Sequence, residues 1–159
     1  MRITVLFGGP SAEREVSLVS GKAVIEGLRS MGHEVFPSDV SPTNLSGLDR
    51  ACDVVFPVLH GEFGESGELQ QILEQRNVPF VGSGSSASRL GMDKVLTKKA
   101  WEAAGLPTPR YQIVTAEDGD VVVPSACVVK AIGGGSSIDV FVIKPPANVT
   151  VEARAAIKP

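Results

Sequence analysis

A short apolar run that stops on two glycines and a proline constrains this chain more than any other feature of it. Ile3, Val5, Leu6 and Phe7 are followed at once by Gly8, Gly9 and Pro10. Such a run, broken by turn residues, predicts an interior strand of a parallel sheet, because a strand covered on both faces need not alternate apolar with polar. Beyond the turn, Val16, Val19, Ala23, Val24, Leu28 and Met31 recur at three- and four-residue spacing. That spacing predicts an amphipathic helix with these side chains inward, and Gly32 is placed to end it in a left-handed cap. In open α/β sheets the loop leaving the carboxyl end of a strand is where ligands bind, since the first N–H groups of the next helix face that crevice. Gly8 to Ser17, which carries Ser11, Glu13, Arg14 and Glu15, is therefore the first candidate for chemistry. The same residues read equally well as a plain turn and a helix start whose acids suit the helix dipole.

The pattern then repeats in smaller form. His33 to Pro37 predicts a second strand, ended by Ser38 and Asp39, and Asp53 to Leu59 a third that is buried on both faces, with Pro57 marking a bulge or an unpaired position. His60 to Gly67 predicts a second glycine-rich loop at a strand end, Glu68 to Arg76 a helix, and Val78 to Val81 a fourth strand. Strands and helices in this order predict a small parallel sheet with helices on its faces. Gly82 to Ser86 changes the character of the chain, and the domain boundary is expected near Gly91, giving units 1–90 and 91–159. Asp93 is placed to cap a helix running to Ala104, stopped by Gly105, Pro107 and Pro109. Short strands are expected at Tyr111 to Val114, Val121 to Val123, Ala126 to Ile132 and Ile138 to Ile143. The last two flank Gly133-Gly134-Gly135-Ser136-Ser137 as a hairpin with a mobile tip, and a helix is expected from Val151 to Lys158.

Composition removes several function classes. A net charge of −3 with one Trp, one Tyr and six Phe offers neither a basic field nor stacking platforms, which argues against a nucleic-acid partner. No apolar run approaches the roughly 20 residues that cross a bilayer, and Met1 leads straight into a strand, so the expected location is cytoplasmic. Cys52 and Cys127 lack metal or disulfide spacing and read as two reduced, buried thiols. The 159 residues are 43% hydrophobic, enough for a real core, while the second unit is small for a domain that stands alone.

Four features bear on chemistry. The Gly-x-Gly-x-x-Gly fingerprint of dinucleotide folds is absent although Asp39 stands where its acid would, and no P-loop motif occurs. His60, Glu62 and Glu65 read either as metal ligands or, with their glycines, as an anion nest. Lys94 reads as a solvated lysine at a helix start. Lys130 lies in the apolar run Cys127 to Ile132, where an unpaired ammonium would be costly, and the glycines and serines after it supply N–H and O–H donors that suit nucleotide phosphates. A plain hairpin tip fits those residues as well.

Taken in order, Gly8-Gly9-Pro10-Ser11-Ala12-Glu13-Arg14-Glu15-Val16-Ser17, Leu59-His60-Gly61 with Gly64-Glu65 and Gly67, Gly82-Ser83, Met92-Asp93-Lys94, Val129-Lys130 and Gly135-Ser136-Ser137 resemble the D-alanine:D-alanine ligases of the ATP-grasp superfamily. The resemblance implies an α/β fold: a Rossmann-like parallel-sheet domain that precedes the ATP-grasp region, then a partial α+β ATP-grasp lobe. It implies ATP with magnesium, or manganese in its place, D-alanine as substrate, an acyl phosphate intermediate, and a homodimer formed through the first domain. Glu13 matches the acid that holds the ammonium of the first D-alanine and orients a network that includes Ser136. His60 and Gly61 match the substrate loop. Lys94, Lys130, Gly134, Gly135, Ser136 and Ser137 match the nucleotide grip, and no metal ligand is assigned.

The chain departs from the family pattern at Ala131, at Gly133-Gly134-Gly135 and at Asp139, and its segment from Pro109 to Ala126 is short. By the resemblance it reaches about half way through such an enzyme and is expected to be inactive alone. Two alternatives are a ligase taking D-lactate or D-serine second, and a non-catalytic dimerisation or ligand-binding module.

Overall fold

The computed structural model describes residues 1–115, 118, 122–123, 125–137, 139–144 and 147–148. The chain divides into two compact units, Met1–Met92 and Asp93–Pro159.

In the first unit the opening apolar run becomes β1 (Arg2–Phe7), followed by α1 (Arg14–Ser30), β2 (Glu34–Asp39) and β3 (Val54–Pro57). All pairing is parallel, in the order β2-β1-β3, so the opening strand is central as its unbroken apolar run requires. Val78 to Val81, expected as a fourth strand, instead makes a single parallel bridge between Phe80 and Val55. Its bonds are Val55 N–H to Pro79 O at 2.8 Å and Val81 N–H to Val55 O at 3.0 Å. Pro57 explains why pairing on that edge goes no further. Val58 N–H turns towards Leu6 O at 2.7 Å, so the position of Pro57 faces the other edge, and there proline has no donor to extend the bridge.

The two sides of the sheet carry separate cores. On one, Leu6, Val40, Leu48, Val55, Leu59 and Phe63 pack with Leu69 and Leu73 of α3 (Glu68–Gln75). On the other, Ile3, Val5 and Val35 pack against Ile25 of α1, with Val54, Phe56 and Val58 partly covered. The third strand is thus covered on both faces, as expected, although its regular part ends at Pro57.

The helix α1 meets the sheet only in part as the sequence spacing predicts: Val24 and Leu28 pack half-buried against the core. Its buried seam is Ser17, Gly21 and Ile25, while Val16, Val19 and Met31 are exposed, at 53%, 72% and 72%. Small residues won this face because the helix lies very close to the strand: a Cβ on Gly21 would stand 2.7 Å from Phe7 Cβ. A valine seam would have held the helix further off.

Two short helices were not expected. α2 (Glu62–Glu65) forms inside the predicted loop from His60 to Gly67, and α4 (Ser85–Met92) follows Gly84. Glu74 on α3 anchors α4, accepting from Ser85 N–H at 2.8 Å and Ser85 Oγ–H at 2.6 Å, and these bonds hold the Glu74 carboxyl below its ordinary pKa.

In the second unit α5 (Lys94–Ala103) starts at Asp93, whose side chain accepts from the N–H groups of Val95 and Leu96 at 2.8 and 2.9 Å, the cap expected from sequence. β4 (Val122–Val123) pairs antiparallel with a strand at Ala147–Asn148, and β5 (Cys127–Lys130) pairs antiparallel with β6 (Val140–Ile143). The β5–β6 pair is the expected hairpin. Tyr111 to Val114, expected as a strand, runs unpaired. Lys98 holds that stretch instead, donating to Thr108 Oγ1 and Pro109 O at 2.7 Å each and lying 5.0 Å over the Tyr111 ring. The helix expected from Val151 to Lys158 lies outside the described residues. Cys52 and Cys127 are free thiols, half-buried rather than buried.

The core assignment is testable by urea unfolding. Leu69→Ala is expected to cost about 2–5 kcal/mol without a change in m, while the exposed Val19→Ala stays within about 0.5 kcal/mol.

Candidate functional site

The first unit gathers two of its loops at the carboxyl ends of β1 and β3. What joins them is the buried hydroxyl of Ser17, which accepts from Gly8 N–H at 2.9 Å and donates to Val58 O at 2.6 Å. One side chain thus ties the turn after β1 to the end of β3. On the far side of that turn Arg14 donates to Gly9 O at 3.2 Å and to Asp39 Oδ1 at 2.9 Å, with a second, short bond to Asp39 Oδ2. Asp39 also accepts from Gly9 N–H at 3.4 Å. Asp39, which stands where a dinucleotide fold has its ribose acid, therefore serves as a clamp on the glycine turn. The bond from Arg14 comes first among the causes that hold the Asp39 carboxyl below its ordinary pKa, and burial opposes it.

Glu13 sits at the N-cap of α1, its N–H donating to Ser11 Oγ at 3.2 Å and its carbonyl accepting from Ser17 N–H at 3.1 Å. The second loop comes up against it. Gly61 has φ 77°, and a Cβ there would lie 2.6 Å from Ser11 Cβ and 3.9 Å from Glu13 Oε2. Only glycine fits, on both counts. Gly61 N–H donates to Glu65 Oε2 at 3.1 Å, and His60 Nδ1 lies 3.6 Å from Glu65 Oε1, so α2 positions the His60–Gly61 loop from below. Among the described residues the buried His60 Nε2 atom has no hydrogen-bond partner. The structure thus brings Glu13, Ser11, His60 and Gly61 together. An open groove nearby is lined by Gly9, Pro10, Arg14, Asp39, Val40, Ser41 and Asn44, beside this cluster rather than over it.

The second unit gathers the lysines and the glycine loop. Lys94, expected to be solvated, is partly buried, and its Nζ donates to the carbonyls of Ile132, Gly133 and Gly134 at 3.4, 3.2 and 2.9 Å. Burial lowers its pKa below the ordinary lysine value, the like charge of Lys130 adds to this, and Asp93 opposes it. Lys130 reverses the other expectation. It ends β5 on an exposed face, because the strand alternates and every second residue of the apolar run points to solvent, Val128 with it. The costly burial inferred from the apolar run therefore does not arise. Gly134 has φ 81°, and Ser136, Ser137 and Asp139 have φ 53°, 60° and 55°.

A sequence profile for the D-ala D-ala ligase N-terminus matches residues 2–45 and 39–83, together more than half of the chain. The chain belongs to the D-alanine–D-alanine ligase family. Among its relatives, the D-alanine–D-alanine ligase of Gluconobacter oxydans is 43% identical over 159 residues, covering 96% of this chain and 52% of that protein. The crystal structure of a D-alanine–D-alanine ligase from Bacillus anthracis matches with a TM-score of 0.77 at 31% identity, over 91% of this chain and 49% of that one. A structure of the Bacillus anthracis ligase complexed with ATP gives 0.76 at 30% identity, over 91% and 50%. The chain thus spans about half the length of the ligases it matches.

The structure adds residues to the candidate ligase site that sequence reasoning left unassigned. Ser17, Arg14 and Asp39 fix the loops and Glu65 orients the one carrying His60. Ser17 was the one within reach, since a serine on the apolar seam of an amphipathic helix needs partners for its hydroxyl. Arg14 and Asp39 lie 25 residues apart and meet only through the parallel pairing of β1 with β2.

The Asp39 clamp has a pH signature. Because its folded pKa is depressed, its contribution is complete above the ordinary aspartate pKa and is lost as pH falls through the lower folded value. Asp39→Asn is expected to lower the urea midpoint slightly at neutral pH, and the gap from the parent chain should close on acidification; a gap that persists or widens at low pH would show that the clamp is not ionic.

Proposed function

We propose that this chain supplies the first-substrate pocket and part of the phosphate grip of an ATP-dependent D-alanine:D-alanine ligase. The observation that carries the reading is the junction of Glu13 with the His60–Gly61 loop, at a glycine whose Cβ would fill the space beside the Glu13 carboxylate. In a chain of this family, a carboxylate facing a glycine cradle at the end of a parallel strand suits the ammonium of a small amino acid.

In the reaction, a carboxylate oxygen of the first D-alanine attacks the γ-phosphorus of ATP, and ADP leaves with the electrons of the broken P–O bond. The amine of the second D-alanine then attacks the acyl carbon, a C–N bond forms, phosphate departs and the amine loses a proton. Glu13 holds the first ammonium and so fixes the carboxylate for phosphoryl transfer. His60 faces that carboxylate and Gly61 leaves the room for it.

Lys94, Lys130 and the loop Gly134, Gly135, Ser136 and Ser137 meet the phosphates, where positive charge and loop N–H groups stabilise the charge that moves. On this reading the second unit is the first lobe of an ATP-grasp fold. Magnesium, or manganese in its place, accompanies ATP; among the described residues no three His, Cys, Asp or Glu side chains come together to hold it. The product is the dipeptide of peptidoglycan, made in the cytoplasm. Among the described residues no helix is long and apolar enough to cross a membrane. A homodimer through the first unit belongs to the same reading, supported by the exposed Val16 and Val19 on α1.

Titration calorimetry tests the site on this chain. D-Alanine is expected to bind, L-alanine more weakly, and Glu13→Gln to weaken D-alanine at least about tenfold, since a hydrogen bond between charged groups contributes about 1.5–3 kcal/mol. ATP should bind independently of that substitution. D-Alanine binding unchanged by Glu13→Gln, or none at all, would overturn the assignment of this pocket.

A further inference from the structure

The glycine loop has an occupant that the phosphate reading does not provide for. The carbonyls of Ile132, Gly133 and Gly134 converge on the amine group of Lys94 at 3.4, 3.2 and 2.9 Å. An ammonium has three N–H donors, so three carbonyls can take up its whole donor capacity. The backbone joins in, with Lys94 N–H donating to Ile132 O at 3.0 Å. The carbonyl of Ile132 thus receives both the main chain and the side chain of one residue, at the start of a helix capped by Asp93.

Beyond this cage the loop takes a conformation that its residues do not favour. Ser136, Ser137 and Asp139 are all left-handed, although none is glycine. Residues with a Cβ visit that region at a cost, and three of them within four positions need something to hold the loop there. The Lys94 cage is placed to do so, because it fixes the loop's entry immediately before those residues.

We propose that Lys94 is a positioning residue for the glycine loop, its amine group held by the carbonyls of Ile132, Gly133 and Gly134 until an anionic phosphate chain draws it away. Ligand charge and loop shape then compete for one side chain. The direction of the exchange follows from bond type: hydrogen bonds from an ammonium to a charged phosphate oxygen are stronger than those to a neutral carbonyl. Once the cage empties, the fixed entry to the loop is lost, and the backbone at Ser136 and Ser137 shifts with it. Only the identification of the anion as a phosphate chain rests on the proposed function; the hold on the loop does not.

Lysine side-chain ¹⁵N spectra of the labelled chain test both parts, with inorganic tripolyphosphate as the probe. Without ligand, the Lys94 Nζ signal is expected to persist at near-neutral pH, protected from exchange with water, while that of the exposed Lys99 is lost. Lys94→Gln should move the backbone ¹³Cα and ¹³Cβ shifts of Ser136 and Ser137, and Lys99→Gln should not.

Tripolyphosphate should abolish or displace the Lys94 signal and move the same serine shifts in the same direction as Lys94→Gln. Should Lys94→Gln fail to fold, the unsubstituted chain still decides, since a Lys94 amine exchanging as fast as that of Lys99 overturns the proposal. Serine shifts indifferent to Lys94→Gln overturn it too. A Lys94 signal unmoved by tripolyphosphate at saturation overturns the competition. If ATP fails to bind while tripolyphosphate still displaces Lys94, the loop proposal stands and the nucleotide assignment falls.

Discussion

The first unit depends on one buried hydroxyl. Ser17 faces the sheet from the inner seam of α1, and its oxygen accepts from the end of β1 while its proton goes to the end of β3. Each of those backbone groups sits where a parallel ladder runs out, the Gly8 N–H buried and the Val58 carbonyl part-buried, and each needs a partner there. The tie works because the helix lies so close, and the helix lies close because Gly21, one turn further along the seam, has no side chain to hold it off Phe7. Glu13, four residues before Ser17, and His60, two after Val58, inherit their positions from this bond. A strand end, a helix start and a second strand end are thereby fixed as one object, and the candidate substrate pocket is the space they leave.

Other contacts refine that arrangement. The Arg14–Asp39 pair holds the outer side of the glycine turn, but both side chains are well exposed and such a pair contributes little to stability by itself. Its value lies in geometry: it brings β2 to bear on the loop that carries Glu13. The second unit is built on another principle. Among its described residues Ile143 is the one buried hydrophobic, and α5 has no buried residue. What orders it locally is polar: the Asp93 cap, the Lys94 cage, and Lys98 on the segment after the helix.

Much of the fold was legible because strands β1 to β3 and helices α1, α3 and α5 each announce themselves in short-range pattern: an apolar run, a three-and-four period, a capping aspartate. The failures have particular causes. Val24 and Leu28 do face the core, but Val16 and Val19 misplaced the N-terminal part of α1 because periodicity counts apolar residues and cannot see that close packing prefers serine and glycine. Val78 to Val81 had strand composition, but Pro57 in the neighbouring strand left only one residue free to bridge it. Lys130 was judged by the apolarity of its neighbours in sequence, whereas in a hairpin strand its surroundings are set by alternation. Lys94 was judged by its exposed position at a helix start, yet its partners lie about forty residues on, beyond any local pattern. The family motifs, by contrast, located Glu13 and Gly61 in loops that the structure places side by side.

The most direct test of this account is amide hydrogen exchange in Ser17→Ala. If Ser17 unites the two loops, then Gly8 and Glu13 on one side and Val58 and Gly61 on the other should lose protection together and by more than the fall in global stability. That global fall is expected to be about 1–3 kcal/mol, from one buried and one part-buried backbone group left unpaired. Loss of protection confined to one loop, or spread evenly over Leu69 and Leu73 as well, would contradict the claim that this hydroxyl is what joins them.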